Sequence, residues 1–183
     1  YSKGKMVSAI KIASDFMEQL PKDSWSPETT EGMEGYVHAV HIEGQIEKTT
    51  IQFIIRDFDT AKLAEHEDRL KDLAAATVSR YPGASMDFVV KEQYRNMKEM
   101  LDKYPFVMDH AETAYKMAGL TPTRLSIRGG TDGSRLSFMG MPCPNIFTGE
   151  MAIHSKQEYV SVQDMEKSVE VLVHLAQVWE QNS

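Results

Sequence analysis

Tyr36-Val-His-Ala-Val-His-Ile42 and Ile46-Glu-Lys-Thr-Thr-Ile-Gln-Phe-Ile-Ile-Arg-Asp57 are two runs separated only by Glu43-Gly44-Gln45. Both are rich in β-branched and aromatic residues, and a short glycine-bearing link predicts that they pair as strands of a hairpin. Side chains alternate across a strand, so Ile51, Phe53 and Ile55 share one face while Gln52, Ile54 and Arg56 share the other. The apolar set predicts the core side. Arg56 then projects from the face that helices do not cover.

Helical patterns flank the hairpin on both sides. Upstream, Met6, Ile10, Ala13, Met17 and Leu20 recur every three or four residues, predicting an amphipathic helix from Lys3 to Leu20 that Pro21 ends. Lys22 to Gly35 is polar, holds Pro27 and two glycines, and reads as a loop. Downstream, Asp59 is the expected N-cap of a helix from Thr60 to Tyr81, with Leu63, Leu70, Leu73, Thr77 and Tyr81 facing inward. Pro82-Gly83 stops it, and Ser85 to Gln93, with Phe88-Val89-Val90, predicts a third strand. The order helix, strand, strand, helix, strand becomes βαββαβ once a strand is supplied before Tyr1. Residues 1–95 are therefore expected to form a ferredoxin-like α+β domain lacking its first strand.

From about Asn96 the pattern changes. A helix near Pro105 to Met117 leads to Leu125-Ser126-Ile127, an apolar run that reads as a buried strand cut off by glycine. A short helical turn at Ser134–Met139 precedes the apolar run Asn145–Phe147. The last helix is expected to be capped by Ser161, with Asp164 three residues on, and to carry Val162, Met165, Val169, Leu172, Ala176 and Trp179 inward. Alternating helix and strand predicts that residues 96–183 contribute the last strands of a parallel, helix-covered α/β sheet.

Chemistry concentrates between Arg128 and His154. Gly129, Gly130 and Gly133 crowd one turn, where backbone N–H groups can approach a bound group, and Arg128 offers a planar fork matched to a carboxylate. The plainer reading of Gly-Gly-Thr-Asp-Gly is an ordinary tight turn. His154 closes a second apolar run broken by Gly149; on spacing alone it is as readily a packed or solvated residue. The other histidines make no metal set. His38 and His41 are i, i+3 on a strand and are expected on opposite faces. His66 and His174 lie on helices among charged neighbours, where Glu170 and His174 read as a simple i, i+4 pair, and Asp109 and Glu112 do not share the face of His110. Cys143, between two prolines, reads as a small buried hydrophobe rather than a nucleophile.

Composition removes several classes. A net charge of −7 over 183 residues offers no basic stripe for phosphates, so nucleic acid is not an expected partner. No apolar run approaches the ~20 residues of a membrane span. One cysteine excludes an internal disulfide framework and fits a reducing, cytoplasmic setting. The chain begins at Tyr1 without a signal-peptide pattern, and it reads as a piece of a longer protein.

Three segments together carry a resemblance. Pro27-Glu-Thr-Thr-Glu-Gly32, Ile54-Ile-Arg-Asp-Phe-Asp59, and Arg128-Gly-Gly-Thr-Asp-Gly133 with Leu136-Ser-Phe-Met-Gly-Met-Pro-Cys-Pro-Asn-Ile-Phe-Thr-Gly149 resemble, in order, the C-terminal part of the peptidase T family. These are dinuclear zinc aminotripeptidases related to carboxypeptidase G and succinyl-diaminopimelate desuccinylase. The resemblance implies that residues 1–95 are a lid and dimerisation domain and 96–183 the end of a zinc-peptidase catalytic domain. It further implies two zinc ions per subunit sharing a bridging carboxylate, a glutamate base, and a short peptide as substrate. His154 matches the single metal ligand supplied from the C-terminal end; the other ligands and the base belong to sequence before the lid. Arg56 resembles the lid arginine that reaches toward the active site, and Arg128, Gly130 and Thr131 match the segment that grips the substrate. Asp132 either orients that turn or only stabilises it. Tyr1-Ser-Lys-Gly4 matches residues after a lid His-Pro-Gly motif, and Asn96-Met97 matches a position to which no role is given. Glu150 and Ser155 depart from the family, which has glycine there. The chain alone is expected to be inactive. Other readings are a related dipeptidase or acyl-amino-acid deacylase, and a non-catalytic dimerising or ligand-binding module.

Overall fold

The computed structural model describes residues 2–182; Tyr1, part of the match to the His-Pro-Gly flank, lies outside the described residues. It is a mixed α/β arrangement with small antiparallel sheets, divided into two compact units. Unit 1 runs up to Gln93 and adds Ile127–Gly129; unit 2 comprises Tyr94–Ser126 and the described residues from Gly130 on. The division falls two residues before the expected one at 95, and it returns the Arg128 segment to the first unit.

Unit 1 is built on the predicted hairpin. β1 (Tyr36–Gly44) pairs antiparallel with β2 (Thr49–Arg56), from Tyr36 opposite Arg56 to Gly44 opposite Thr49. Ile51, Phe53 and Ile55 pack against a core of Phe16, Trp25, Val37 and Leu70, as their shared face predicts. Two helices cover that face. α1 (Ala9–Glu18) buries Ala13 and Phe16, and the Phe16 ring meets Phe53 edge-on at 5.9 Å. The predicted start at Lys3 is corrected: Gly4 turns the chain at φ 72°, so Met6 lies off the helix and Ile10 is exposed. α2 (Thr60–Ser79) begins where Asp59 caps it, its carboxylate accepting from Ala61 N at 2.8 Å. Leu70 and Thr77 are its buried residues.

Tyr81, just beyond α2, donates its phenol hydrogen to Asp15 Oδ2 at 2.7 Å. That hydrogen bond to Asp15, with burial and the Asp15 charge, raises the Tyr81 pKa above the ordinary tyrosine range. A phenol whose folded pKa is raised contributes stability below the unfolded value that is lost as pH climbs through the folded one. The Tyr81 ring carbons should therefore titrate at higher pH than a free tyrosine in an NMR titration. Asp15→Asn should bring the midpoint back down.

The expected third strand is not formed. Residues 85–93 carry no ladder, and although Phe88 reaches the core, Val89 is 73% exposed. In a split βαβ motif this strand pairs with the first strand of the motif, and the described residues hold none for it to join.

Unit 2 is mostly helical. α3 (Lys98–Leu101), which periodicity did not predict, is a single turn before α4 (Pro105–Met117). α5 (Asp132–Phe138) follows, then the two-residue strands β3 (Glu150–Met151) and β4 (Tyr159–Val160), paired antiparallel, and α6 (Val162–Gln181). α6 is capped as predicted, Ser161 Oγ accepting from Asp164 N at 3.0 Å. It packs on α4 through Ala114, Ala118 and Val171, flanked by Tyr115, Leu120, Phe147 and Leu175. Tyr115 Oη accepts from Phe147 N at 2.7 Å, fixing the Asn145–Phe147 run beside that core.

Two expectations fail here. The inward face assigned to α6 is the outward one: Val162, Met165, Val169 and Leu172 are exposed, and Val171 and Val178 are buried. The helix is apolar on two sides, and α4 takes the other. The buried strand at Leu125–Ile127 and the parallel sheet are also absent among the described residues, with Leu125 84% exposed. A strand buried on both faces needs neighbours on each edge, and none are present for it.

Candidate functional site

The open face of the hairpin gathers the basic candidates. Tyr36 lies directly across the ladder from Arg56, so the two share a face. The Arg128 guanidinium stacks over the Tyr36 ring, 4.9 Å from its centroid. Arg56 and Arg128, 72 positions apart in the chain, are thus brought to the same end of the same sheet face. Arg56 donates to Ile55 O at 3.0 Å and to Gln93 Oε1 at 2.9 Å.

Arg128 is not at a strand end, as the sequence predicts, but is gripped by the polar loop before β1. Its Nη1 donates to Thr30 O at 2.7 Å, and its Nη2 to Thr30 Oγ1 at 2.7 Å and Glu34 O at 2.9 Å. The Nε–H is buried without a partner. Thr30 Oγ1 in turn donates to Ser26 O at 2.7 Å. The Pro27–Gly32 and Arg128–Gly133 motifs, read separately in the sequence, therefore meet through one guanidinium.

The same loop is tied at its other end by a chain that local spacing does not reveal. Trp25 Nε1–H donates to His66 Nδ1 at 2.7 Å, and His66 Nε2 lies 3.0 Å from Asp57 Oδ2. An indole N–H only donates, so Nδ1 is the acceptor, Nε2 carries the proton, and that proton goes to Asp57. The Asp57 side chain is 4% exposed and also accepts from Asp59 N at 2.8 Å. Arg69 covers the indole at 4.3 Å. His66 is a structural tie, reached from Trp25 across 41 positions.

The remaining candidates sit in unit 2. Gly130 is glycine because a Cβ there would overlap the Tyr94 ring; at Gly133 a Cβ would lie 2.5 Å from Cys143 O. Close approach at this turn is thus to the chain itself. Gly130→Ala should cost about 1–3 kcal/mol by displacing the ring, measurable by denaturant unfolding, and an unchanged midpoint would contradict that packing. Thr131 precedes α5 with its hydroxyl buried and unpartnered, and Asp132 opens the helix, where its charge suits the dipole. Ser137, fully buried, donates to Gly133 O at 2.7 Å and accepts from Cys143 N at 2.9 Å. Cys143 is half-buried.

His154 follows β3 in a turn with φ 64°, a left-handed conformation that costs a residue with a Cβ of order 1 kcal/mol. Ala152 shares it at 54°. The His154 side chain is exposed, and its backbone N donates to Glu158 Oε2 at 2.6 Å. Among the described residues no group of three or more His, Cys, Asp or Glu side chains stands together as a metal site. The described residues do not by themselves fit a metal centre; His154 offers one accessible donor. His38 and His41 do not lie on opposite faces, as i, i+3 spacing on an unbroken strand predicts. A bulge between Ala39 and His41 sets them opposite Ile54 and Gln52, which share a face, so both histidines point to the open side. Among the described residues no third ligand joins them.

Residues 8–178 match the model of Peptidase family M20/M25/M40. The chain belongs to that peptidase family. Among curated relatives of this M20-type chain, Peptidase T of Clostridium perfringens is 42% identical over 178 residues, 97% of the chain and 44% of that protein. Peptidase T of Geobacillus thermodenitrificans is 41% identical over 182 residues, again 44% of its length. The chain thus spans less than half the length of the curated relatives it matches. The crystal structure of aminopeptidase PepT from Bacillus cereus superposes with a TM-score of 0.58 over 94% of this chain and 45% of that one. At 19% identity in that superposition, the likeness is one of fold. No helix among the described residues of this M20-family chain is long and apolar enough to cross a membrane.

Proposed function

We propose that this chain is the lid and C-terminal part of a zinc-dependent aminopeptidase that releases the N-terminal residue from tripeptides. The observation that carries the reading is 42% identity with a Peptidase T over 97% of the chain. The site geometry is consistent with it. Arg56, across the ladder from Tyr36, and Arg128, over the Tyr36 ring, stand at the same end of one sheet face, and a guanidinium suits the C-terminal carboxylate of a short peptide. Gly130 and Thr131 shape the turn that follows Arg128. On this reading His154 is a donor to a metal site whose other ligands come from the rest of the parent enzyme. Divalent zinc would supply Lewis-acid activation of the scissile carbonyl and of water, and this chain's arginines would supply orientation of the peptide.

On this reading unit 1 is a ferredoxin-like lid completed by a strand from outside the chain, its sheet edge pairing in a cytoplasmic homodimer. The chain alone does not hydrolyse peptides. A protein carrying it at the length of its relatives, assayed with di-, tri- and N-acylated peptides, should prefer tripeptides. Equal or better cleavage of a dipeptide or an acylated amino acid would replace the reading with a related amide hydrolase.

A further inference from the structure

The grip on Arg128 is asymmetric in a way that bears on what the arginine can bind. A guanidinium presents two bidentate edges, one end-on through Nη1 and Nη2 and one side-on through Nε and Nη2. Thr30 occupies the end-on edge with both of its oxygens, the carbonyl on Nη1 and the hydroxyl on Nη2, each at 2.7 Å. The Thr30 hydroxyl can accept there because its own hydrogen is committed to Ser26 O, 2.7 Å away. The side-on edge is incomplete. Its Nε–H is buried and has no acceptor, and Nη2 is shared with a single backbone carbonyl, that of Glu34 at 2.9 Å.

A buried charged donor without a partner is costly, and the group that satisfies Nε–H and Nη2–H together is a carboxylate. The Tyr36 ring lies against the guanidinium, its centroid 4.9 Å from Cζ. The segment that supplies Glu34 O is a turn closed by Glu31 N donating to Glu34 Oε2 at 2.8 Å, with Gly32 at φ 56°. The Glu34 carbonyl therefore holds the place that one oxygen of a carboxylate would take.

We infer that Thr30 is a positioning residue: it holds Arg128 end-on so that the side-on Nε/Nη2 edge receives the C-terminal carboxylate of the substrate, displacing Glu34 O. This rests on the reading that Arg128 binds that carboxylate. On this inference the Thr30 hydroxyl and the Glu34 carbonyl act only through Arg128, so the effect belongs in substrate affinity and in its dependence on a free C-terminus.

The test uses the metal-loaded protein carrying this chain at the length of its relatives, with trialanine and trialanine amide as paired substrates. Thr30→Val removes the hydroxyl acceptor and should raise KM for the free acid about tenfold, with kcat unchanged and the KM of the amide unmoved. Thr30→Ser keeps both oxygens and should restore the wild-type KM. Arg128→Gln should abolish the preference for the acid over the amide. A Thr30→Val enzyme with wild-type KM for both substrates, or with both raised equally, overturns the positioning role while Arg128→Gln still loses the preference. If Arg128→Gln keeps the preference, the carboxylate reading itself fails and takes this inference with it.

Discussion

Trp25→Ala is expected to destabilise unit 1 by about 3–5 kcal/mol, the range for removing a large buried aromatic side chain. Trp25 is one of four residues at the centre of that unit's core, with Phe16, Val37 and Leu70. Its backbone is held at φ 71°, a left-handed conformation that L residues adopt at a cost of roughly 1–2 kcal/mol. That conformation persists because both ends of the residue are committed. The carbonyl accepts from Val37 N at 2.7 Å, and the indole N–H is taken by His66. Loss of the indole opens a cavity and strands the His66–Asp57 pair. Trp25→Phe should recover most of the packing and leave a deficit of about 1 kcal/mol for the missing hydrogen bond. Urea unfolding followed by circular dichroism reads both variants. A Trp25→Ala midpoint within 1 kcal/mol of wild type would show that the core is organised elsewhere.

Arg128→Ala is expected to cost unit 1 about 2–3 kcal/mol, from three charge-assisted hydrogen bonds and a cation–π contact that are individually modest and not additive. The loss should be local as well as global. Amides of the Glu31–Gly35 turn should exchange faster with deuterium, because Thr30 and Glu34 lose the group that pins them. Arg128→Lys should not rescue, since an ammonium cannot present two parallel N–H groups to both oxygens of Thr30. Wild-type stability and protection in the lysine variant would mean that charge alone, not the fork, secures the loop.

What the sequence made legible follows from how local each signal is. The hairpin, α2 with its Asp59 cap, α4 and the Ser161 cap of α6 all rest on contacts within a few residues, and they appear where predicted. The segment 85–93 and the run Leu125–Ile127 have strand composition but form no strand, because composition does not supply a neighbour. The α6 error is of another kind. Its periodicity is genuine on two faces, and only the position of α4 decides that Val171 and Val178 turn inward while Val169 stays 60% exposed.

The candidate site divides in the same way. Arg56 was assigned to the open face by alternation, and the ladder places it there. The encounter of Arg128 with Thr30, across 98 positions, has no local signature, although both residues stand in motifs singled out for the family resemblance. His66 gave no signal at all. Its partners, Trp25 and Asp57, flank the hairpin from opposite sides in sequence and meet it only in the fold.

The central claim is that His154 completes a metal site in a tripeptide-cleaving enzyme. It is tested most directly by measuring bound zinc and tripeptide hydrolysis together, wild type against His154→Ala, in a protein carrying this chain at the length of its relatives. Loss of a metal ligand should remove about one zinc per chain and lower hydrolysis at least about a hundredfold. Unchanged zinc content with unchanged hydrolysis would contradict the account.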